Sequence, residues 1–229
     1  MDIILLAGLW LRSSIWGDVA AELTRLGHRP VAVDLPGVDD GSTTATLDEQ
    51  VAVAVAAVDD ADRPIVVGHS AASTLAWMVG DSRPASITGV VMIGGFPAAN
   101  GTSYADFFPA ADGVMPFPGW EPFEGPDTDD LDEVARRSLG STAVPVPTSV
   151  STATVRYDDD RRWRVPVVVV CPEFSPDQAR AWLDAGEIPE LAAAAHLEFV
   201  DIASGHWPMV TRPAELARIL DDCAAGLSR

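Results

Sequence analysis

The sequence predicts an α/β fold, with a mostly parallel sheet of about six strands and helices on both faces. Three observations carry this. Short runs rich in Val and Ile recur along the 229 residues, each followed by a helical pattern. Most of these runs are continuously apolar rather than alternating, the mark of strands covered on both sides. Apolar residues make up 48% of the chain, enough to fill one sizeable core.

Taken in order, the first strand is Ile3 to Leu6. A helix is predicted from about Ser14 to Leu26, with Gly27 past its end as a C-cap. "PVAVDLPG" supplies a second strand, Val31 to Asp34. Thr46-Leu47-Asp48-Glu49 reads as a capping box that opens a helix running through Val58. "PIVVG" is the third strand, "ITGVVMIGG" the fourth, "VPVVVVC" the fifth and "HLEFVDI" the sixth. One segment breaks the rhythm. Residues 97–164 are rich in Pro, Gly and aromatics, with one helix predicted from about Thr128 to Leu139 and Gly140 behind it. So long an insertion between core strands predicts a lid, leaving 1–96 and 165–229 as the core. Seven of the chain's sixteen aromatic residues fall between Phe96 and Phe123, and rings at that density must pack on something.

Composition excludes several classes. The chain carries 34 acidic residues against 15 basic ones, a net charge of −19. That argues against nucleic acid and anionic membrane surfaces, which require basic patches, and predicts a solvated acidic surface. Cys171 and Cys223 form neither a disulfide framework nor a metal-binding spacing, so a reduced cytoplasm fits. "MDIILLAGLW" is too short and lacks the basic leader of a signal peptide, and no stretch reaches transmembrane length.

The chemistry concentrates at two places. Gly68-His69-Ser70-Ala71-Ala72 follows a strand and opens a helix. A sharp turn of that kind exposes a serine hydroxyl above the carboxyl edge of a sheet, and aims amide groups and a helix N-terminus at the same spot. The plainer reading of Ser70 is a structural serine in a tight turn. "DIASGHWPMVTRPAELARIL" follows the last strand and puts His206 at the same edge, where an imidazole can take a serine proton.

These segments resemble the α/β-hydrolases, in particular the small branch that includes plant-type esterases and hydroxynitrile lyases. "ILLAGLWLRSSIWGDVAAELTRLGHRPVAVDLPG", "VVGHSAAS" and "SGHWPMVTRPAELA" stand where that family puts its first strand, elbow and histidine loop. The resemblance implies an α/β-hydrolase fold, Ser70 as nucleophile, His206 as general base, and the amides of Leu9 and Ala71 as oxyanion donors. It implies hydrolysis of a carboxylic ester or lactone with an apolar or aromatic moiety through an acyl-enzyme, with no metal or organic cofactor and a small-molecule substrate. Two positions depart from the pattern. Ala7-Gly8 replaces the usual His-Gly, and Ala72 replaces the elbow's final Gly. At the acid's place stands Ser175, with Glu173 two residues before and Asp177 two after. Glu173 is favoured because it follows the strand directly between Pro172 and Phe174. Asp177 is expected in the first turn of a helix, and Asp106 is an outside candidate.

Trp10 and Trp207 are expected in the pocket wall, with Phe107, Phe108 and Trp120 from the lid. The plainer reading of the lid rings Phe107, Phe108, Phe117, Trp120 and Phe123 is the lid's own core, but their number predicts that some line the pocket. His69 is expected to pack with its side chain away from the serine hydroxyl; His28 and His196 are expected to be structural. Asp34 reads as a loop anchor, and Asp158-Asp159-Asp160 with Arg161-Arg162 as a solvated turn. Two other functions share the scaffold: a lyase or cyclase, and a non-catalytic binding protein. The absence of any lysine counts against a lyase of the known type, which wants one near the histidine loop.

Overall fold

The structure, a computed structural model, describes residues 1–227. Its strands are β1 (Asp2–Leu6), β2 (Arg29–Ala32), β3 (Ile65–His69), β4 (Gly89–Ile93), β5 (Val114–Met115), β6 (Val146–Pro147), β7 (Val167–Cys171) and β8 (Leu197–Asp201). Six of them make one sheet in the order β2-β1-β3-β4-β7-β8, with every neighbouring pair parallel. Burial follows position. β3, β4 and β7 are buried at every residue, whereas the edge strands β2 and β8 have no fully buried position. The continuous Val and Ile runs therefore mark the strands covered on both faces.

The helices are α1 (Gly17–Arg25), α2 (Leu47–Asp59), α3 (Ala72–Ser82), α4 (Glu133–Thr142), α5 (Thr148–Ser151), α6 (Pro176–Asp184), α7 (Pro208–Thr211) and α8 (Pro213–Leu227). Alternate strand residues feed two cores. Ile4, Leu6, Val66 and Val169 pack with α2, α3 and α6; Ile3, Leu5, Val67 and Val170 pack with α1 and α8. The Thr46 capping box forms as predicted, with the Thr46 hydroxyl accepting from the Glu49 amide and Glu49 accepting from the Thr46 amide.

Three sequence expectations need correction. β2 begins at Arg29 rather than Val31, because the Arg29 amide donates to the Met1 carbonyl and its guanidinium clasps Asp2 on β1. The insertion helix starts at Glu133, not Thr128. The Asp132 carboxylate caps it by accepting from the Ala135 amide, while residues 128–131 are consumed in turns. The predicted solvated turn at 158–162 is half wrong. Arg161 pairs outside with Asp159, but Arg162 is buried between the Tyr157 and Trp163 rings and faces Asp81 and Glu190. Aromatic faces and two carboxylates together make that burial tolerable.

The segment between β4 and β7 lies over the carboxyl edge of the sheet and is tied to the loop after β1. Trp10 donates its indole N–H to the Met115 carbonyl at 3.2 Å, and its own carbonyl accepts from the Val144 amide at 2.9 Å. These two bonds, with ring packing, hold Trp10 at φ +64°, a region that side-chain-bearing residues seldom adopt.

Candidate active site

Ser70 sits at the tip of β3 with φ +55°, the strained turn that lifts a side chain clear of the sheet. Its amide donates to the Ile93 carbonyl at 2.8 Å, and its carbonyl accepts from the Ser73 amide at 2.9 Å. The turn is possible only because its neighbours are small. A Cβ on Gly68 would lie 2.2 Å from the Ala72 carbonyl oxygen, and one on Gly95 would lie 2.5 Å from that of Ser70. The backbone therefore passes where no side chain fits.

His206, on the loop after β8, is positioned from three sides. Its amide donates to the Asp127 carbonyl at 2.8 Å, so the insertion grips the histidine loop. Its carbonyl accepts from His69 Nε2 at 2.7 Å. Its Nδ1 faces Glu173 Oε1 at 2.8 Å, with both side chains nearly enclosed. Gly94, at φ +59°, makes room for that pair. A Cβ there would meet His206 Nδ1 at 3.2 Å and Glu173 Oε2 at 3.3 Å.

Among the acid candidates only Glu173 meets the histidine. Ser175 instead caps α6, where its hydroxyl accepts from the Gln178 amide. Asp177 lies in the first turn of α6, 95% exposed and paired with Arg180. Asp106 is exposed. With Nδ1 committed to Glu173, His206 Nε2 is the nitrogen left for a hydroxyl, and it has no partner among the described residues. Ser70 and His206 line the same cavity. The amides of Leu9 and Ala71 likewise have no acceptor among the described residues. An oxygen that gained negative charge there would find two unused donors.

His69 packs as expected, buried with Nε2 on the His206 carbonyl, and the residue also borders the cavity. Full burial, and then the neighbouring His206, push its pKa down to about 3. It is therefore neutral, and the bond to the His206 carbonyl requires its proton on Nε2. Burial also raises the Asp127 carboxyl above the ordinary range; nearby Glu173 adds to this and His206 opposes it.

Aromatic rings roof the cavity. Trp10 meets Phe117 at 5.5 Å, Trp120 meets Trp207 at 5.4 Å, and Phe123 meets Trp207 at 5.6 Å between ring centroids. Trp10, Trp120 and Trp207 line it, as expected, together with Phe117, Phe123 and Leu139. Phe108 stands behind the wall, packed on Trp10 and Phe123. Phe107 does not belong to it; at 63% exposure its ring points to solvent. The chain bends at Phe108, which turns that ring inward while Phe107 faces out. Sequence reasoning missed the roles of Gly94, Gly95 and the Asp127 carbonyl. The Gly-Gly pair directly after the fourth strand was the available signal for the first two.

Two buried thiols, Cys171 and Cys223, are free and raised to about 12, mainly by burial. Among the described residues no group of His, Cys, Asp or Glu could hold a metal ion, and no helix is long and apolar enough to cross a membrane.

A parallel sheet with a serine on the turn after its third strand and a histidine on the loop after its last is the layout of α/β-hydrolases. The model of the alpha/beta hydrolase family matches residues 3–219, and the chain belongs to that family. Solved structures agree on the fold. An extracellular alpha/beta-hydrolase from a Paenibacillus species, described as sharing structural and functional homology with tobacco salicylic acid binding protein 2, superposes with a TM-score of 0.80. It is 18% identical, over 97% of this chain and 98% of that one. A pyrethroid hydrolase from Sphingobium faniae JZ-2 gives 0.71 at 17% identity, covering 98% and 97%. Tomato methylketone synthase I with 2-tridecanone gives 0.72 at 15% identity, covering 99% and 98%. No curated protein matches the sequence.

Proposed function

We propose that the protein hydrolyses a carboxylic ester or lactone with an apolar or aromatic moiety, through a Ser70-His206-Glu173 triad. The observation that carries this reading is the Glu173–His206 contact at 2.8 Å, beside a strained serine in the same cavity. Glu173 holds the imidazole in the tautomer with its proton on Nδ1 and offsets the charge that develops on the ring. His206 Nε2 takes the Ser70 proton as Oγ attacks the carbonyl carbon. The Leu9 and Ala71 amides stabilise the tetrahedral oxyanion. His206 then returns the proton to the leaving alkoxide. Water, activated by the same nitrogen, releases the acid from the acyl-enzyme. The segment 97–164 acts as a lid in this reading. The inner cavity, about 30 Å³, holds about two water molecules, so a substrate enters only when the ring roof moves.

The test is to treat the wild type and Ser70→Ala with a fluorophosphonate probe and assay both on short-chain and aryl esters. Hydrolysis predicts labelling and turnover in the wild type and loss of both in the variant. Labelling without turnover of any ester would point instead to a lyase or cyclase, and absence of both to a binding protein.

A further inference from the structure

The inner cavity does not stand alone. A larger groove of about 650 Å³ runs between the loop after β1 and helix α4, and it shares Trp10, Leu11, Leu139 and Ala143 with the cavity that Ser70 and His206 line. The two spaces are the two sides of one wall. A molecule with its carbonyl at Ser70 outgrows about 30 Å³ at once, and the groove is the space its remainder reaches when the shared wall of Trp10, Leu11, Leu139 and Ala143 gives way.

The groove differs chemically from the ring-lined chamber. Ser14, Ser138, Ser141 and Thr142 line it, and so does Arg12. No carboxylate lines it, although the chain has 34 acidic residues. Arg12, like Arg136, is anchored on backbone carbonyls, whereas half of the described arginines pair with carboxylates. Arg25, Arg29, Arg83, Arg137, Arg161, Arg162 and Arg180 all face carboxylates. The Arg12 guanidinium donates from Nη1 to the carbonyls of Val38 and Asp39, at 3.0 and 3.1 Å, and no carboxylate pairs with it among the described residues. Two backbone anchors orient the group, and the neighbouring carboxylates of Asp34 and Asp39 are bound to Ser13 rather than to it. Two residues lie between it and Leu9, so the two Cα atoms lie at most about 10–11 Å apart.

We propose that this groove is the outer half of the substrate site and that Arg12 recognises a carboxylate there. The substrate class is then an amphipathic ester, with the reacting carbonyl and an apolar part under the aromatic roof and an anionic arm in the groove. A planar guanidinium with free N–H groups suits a carboxylate, which accepts two parallel hydrogen bonds from it. The net charge of −19 repels anions at long range, so selectivity for one must come from this local, fixed cation.

The proposal rests on the hydrolase reading, and the test separates the two. Wild type, Arg12→Gln and Arg12→Lys are assayed on three aryl esters: 4-nitrophenyl valerate, the 4-nitrophenyl monoester of glutaric acid, and 4-butyryloxybenzoate. The glutarate probe carries its carboxylate on the acyl arm and the benzoate probe on the alcohol arm. The wild type is expected to favour one carboxylated ester over valerate in kcat/KM. That ratio should fall about tenfold in Arg12→Gln, mainly through KM, and partly recover in Arg12→Lys. The inference is overturned if the wild type prefers valerate to both, or if the ratio is unchanged in Arg12→Gln. If the wild type cleaves no ester, the hydrolase reading fails. The groove is then read by calorimetry on Ser70→Ala, using glutaric acid monoanilide against valeranilide. Tighter binding of the anionic anilide that is lost with Arg12→Gln sustains the proposal; equal binding ends it.

Discussion

Replacing Glu173 by Gln changes one charge and almost no volume, so it isolates what the carboxylate does for His206. Glu173 Oε1 lies 2.8 Å from Nδ1, and the pair is only about one-seventh exposed, at 13% and 14%. When His206 takes a proton it becomes a cation, with charge centres about 4 Å apart. At an effective dielectric constant near 20 their attraction is about 4 kcal/mol. Losing it slows a step through the imidazolium by about three decades, since each factor of ten is about 1.4 kcal/mol. A Gln amide can also turn its NH₂ toward Nδ1 and trap the wrong tautomer, which adds to the loss. Glu173 Oε2 is buried without a partner, so the substitution strands little that was previously satisfied and the fold should survive. The assay is kcat on a short aryl ester, with thermal unfolding as the control for folding. Asp177→Asn is the comparison, because its exposed pair with Arg180 should leave kcat within a factor of about two. The reasoning fails if Glu173→Gln keeps more than about a tenth of the wild-type rate, or if Asp177→Asn loses as much.

Three further outcomes are expected. Ser70 holds φ +55°, so Ser70→Gly should relieve strain that Ser70→Ala retains. The Gly variant should melt about 2–4 °C above the Ala variant, though both lack turnover; calorimetry giving the reverse order would refute a strained elbow. Gly95→Ala would press a methyl against the Ser70 carbonyl at 2.5 Å. It should lower stability by about 1–3 kcal/mol and cut turnover by more than tenfold, read by urea unfolding and initial rates. The folded state binds a proton at His69 only near pH 3, whereas an unfolded histidine binds one near 6.5. The unfolded chain thus holds more protons across that window, and stability falls as the pH drops through it, by up to about 1.4 kcal/mol per pH unit for this group. His69→Gln, followed by urea titration between pH 4 and 7, should show a shallower slope.

Much of this architecture was legible because its signals are local. Continuous Val and Ile runs mark buried strands, and the Thr46 box fixes a helix start within one turn. Gly68 to Ala72 records a tight strand-to-helix crossing in five residues. Glu173 could be preferred over Asp177 for the same reason, since a strand end and a helix start are both readable. The insertion was harder. Asp132 competes with Thr128 as a helix cap, and only the turns packed behind Phe123 decide between them. Phe107 and Phe108 are identical in composition terms, and only the path of the chain turns one inward. Arg162 reads as solvated within a charged run, yet Asp81 and Glu190 reach it from 81 and 28 residues away.

The ring-lined chamber equips the protein with a spectroscopic gauge. Of its seven indoles, Trp10, Trp120 and Trp207 border the chamber, while Trp16 and Trp77 are fully buried in the two cores and supply a constant background. Trp163 and Trp182 are partly exposed away from the chamber, so it is the change in emission colour and quenching on adding a ligand, rather than the absolute signal, that reports the wetness of the chamber in the unlabelled molecule.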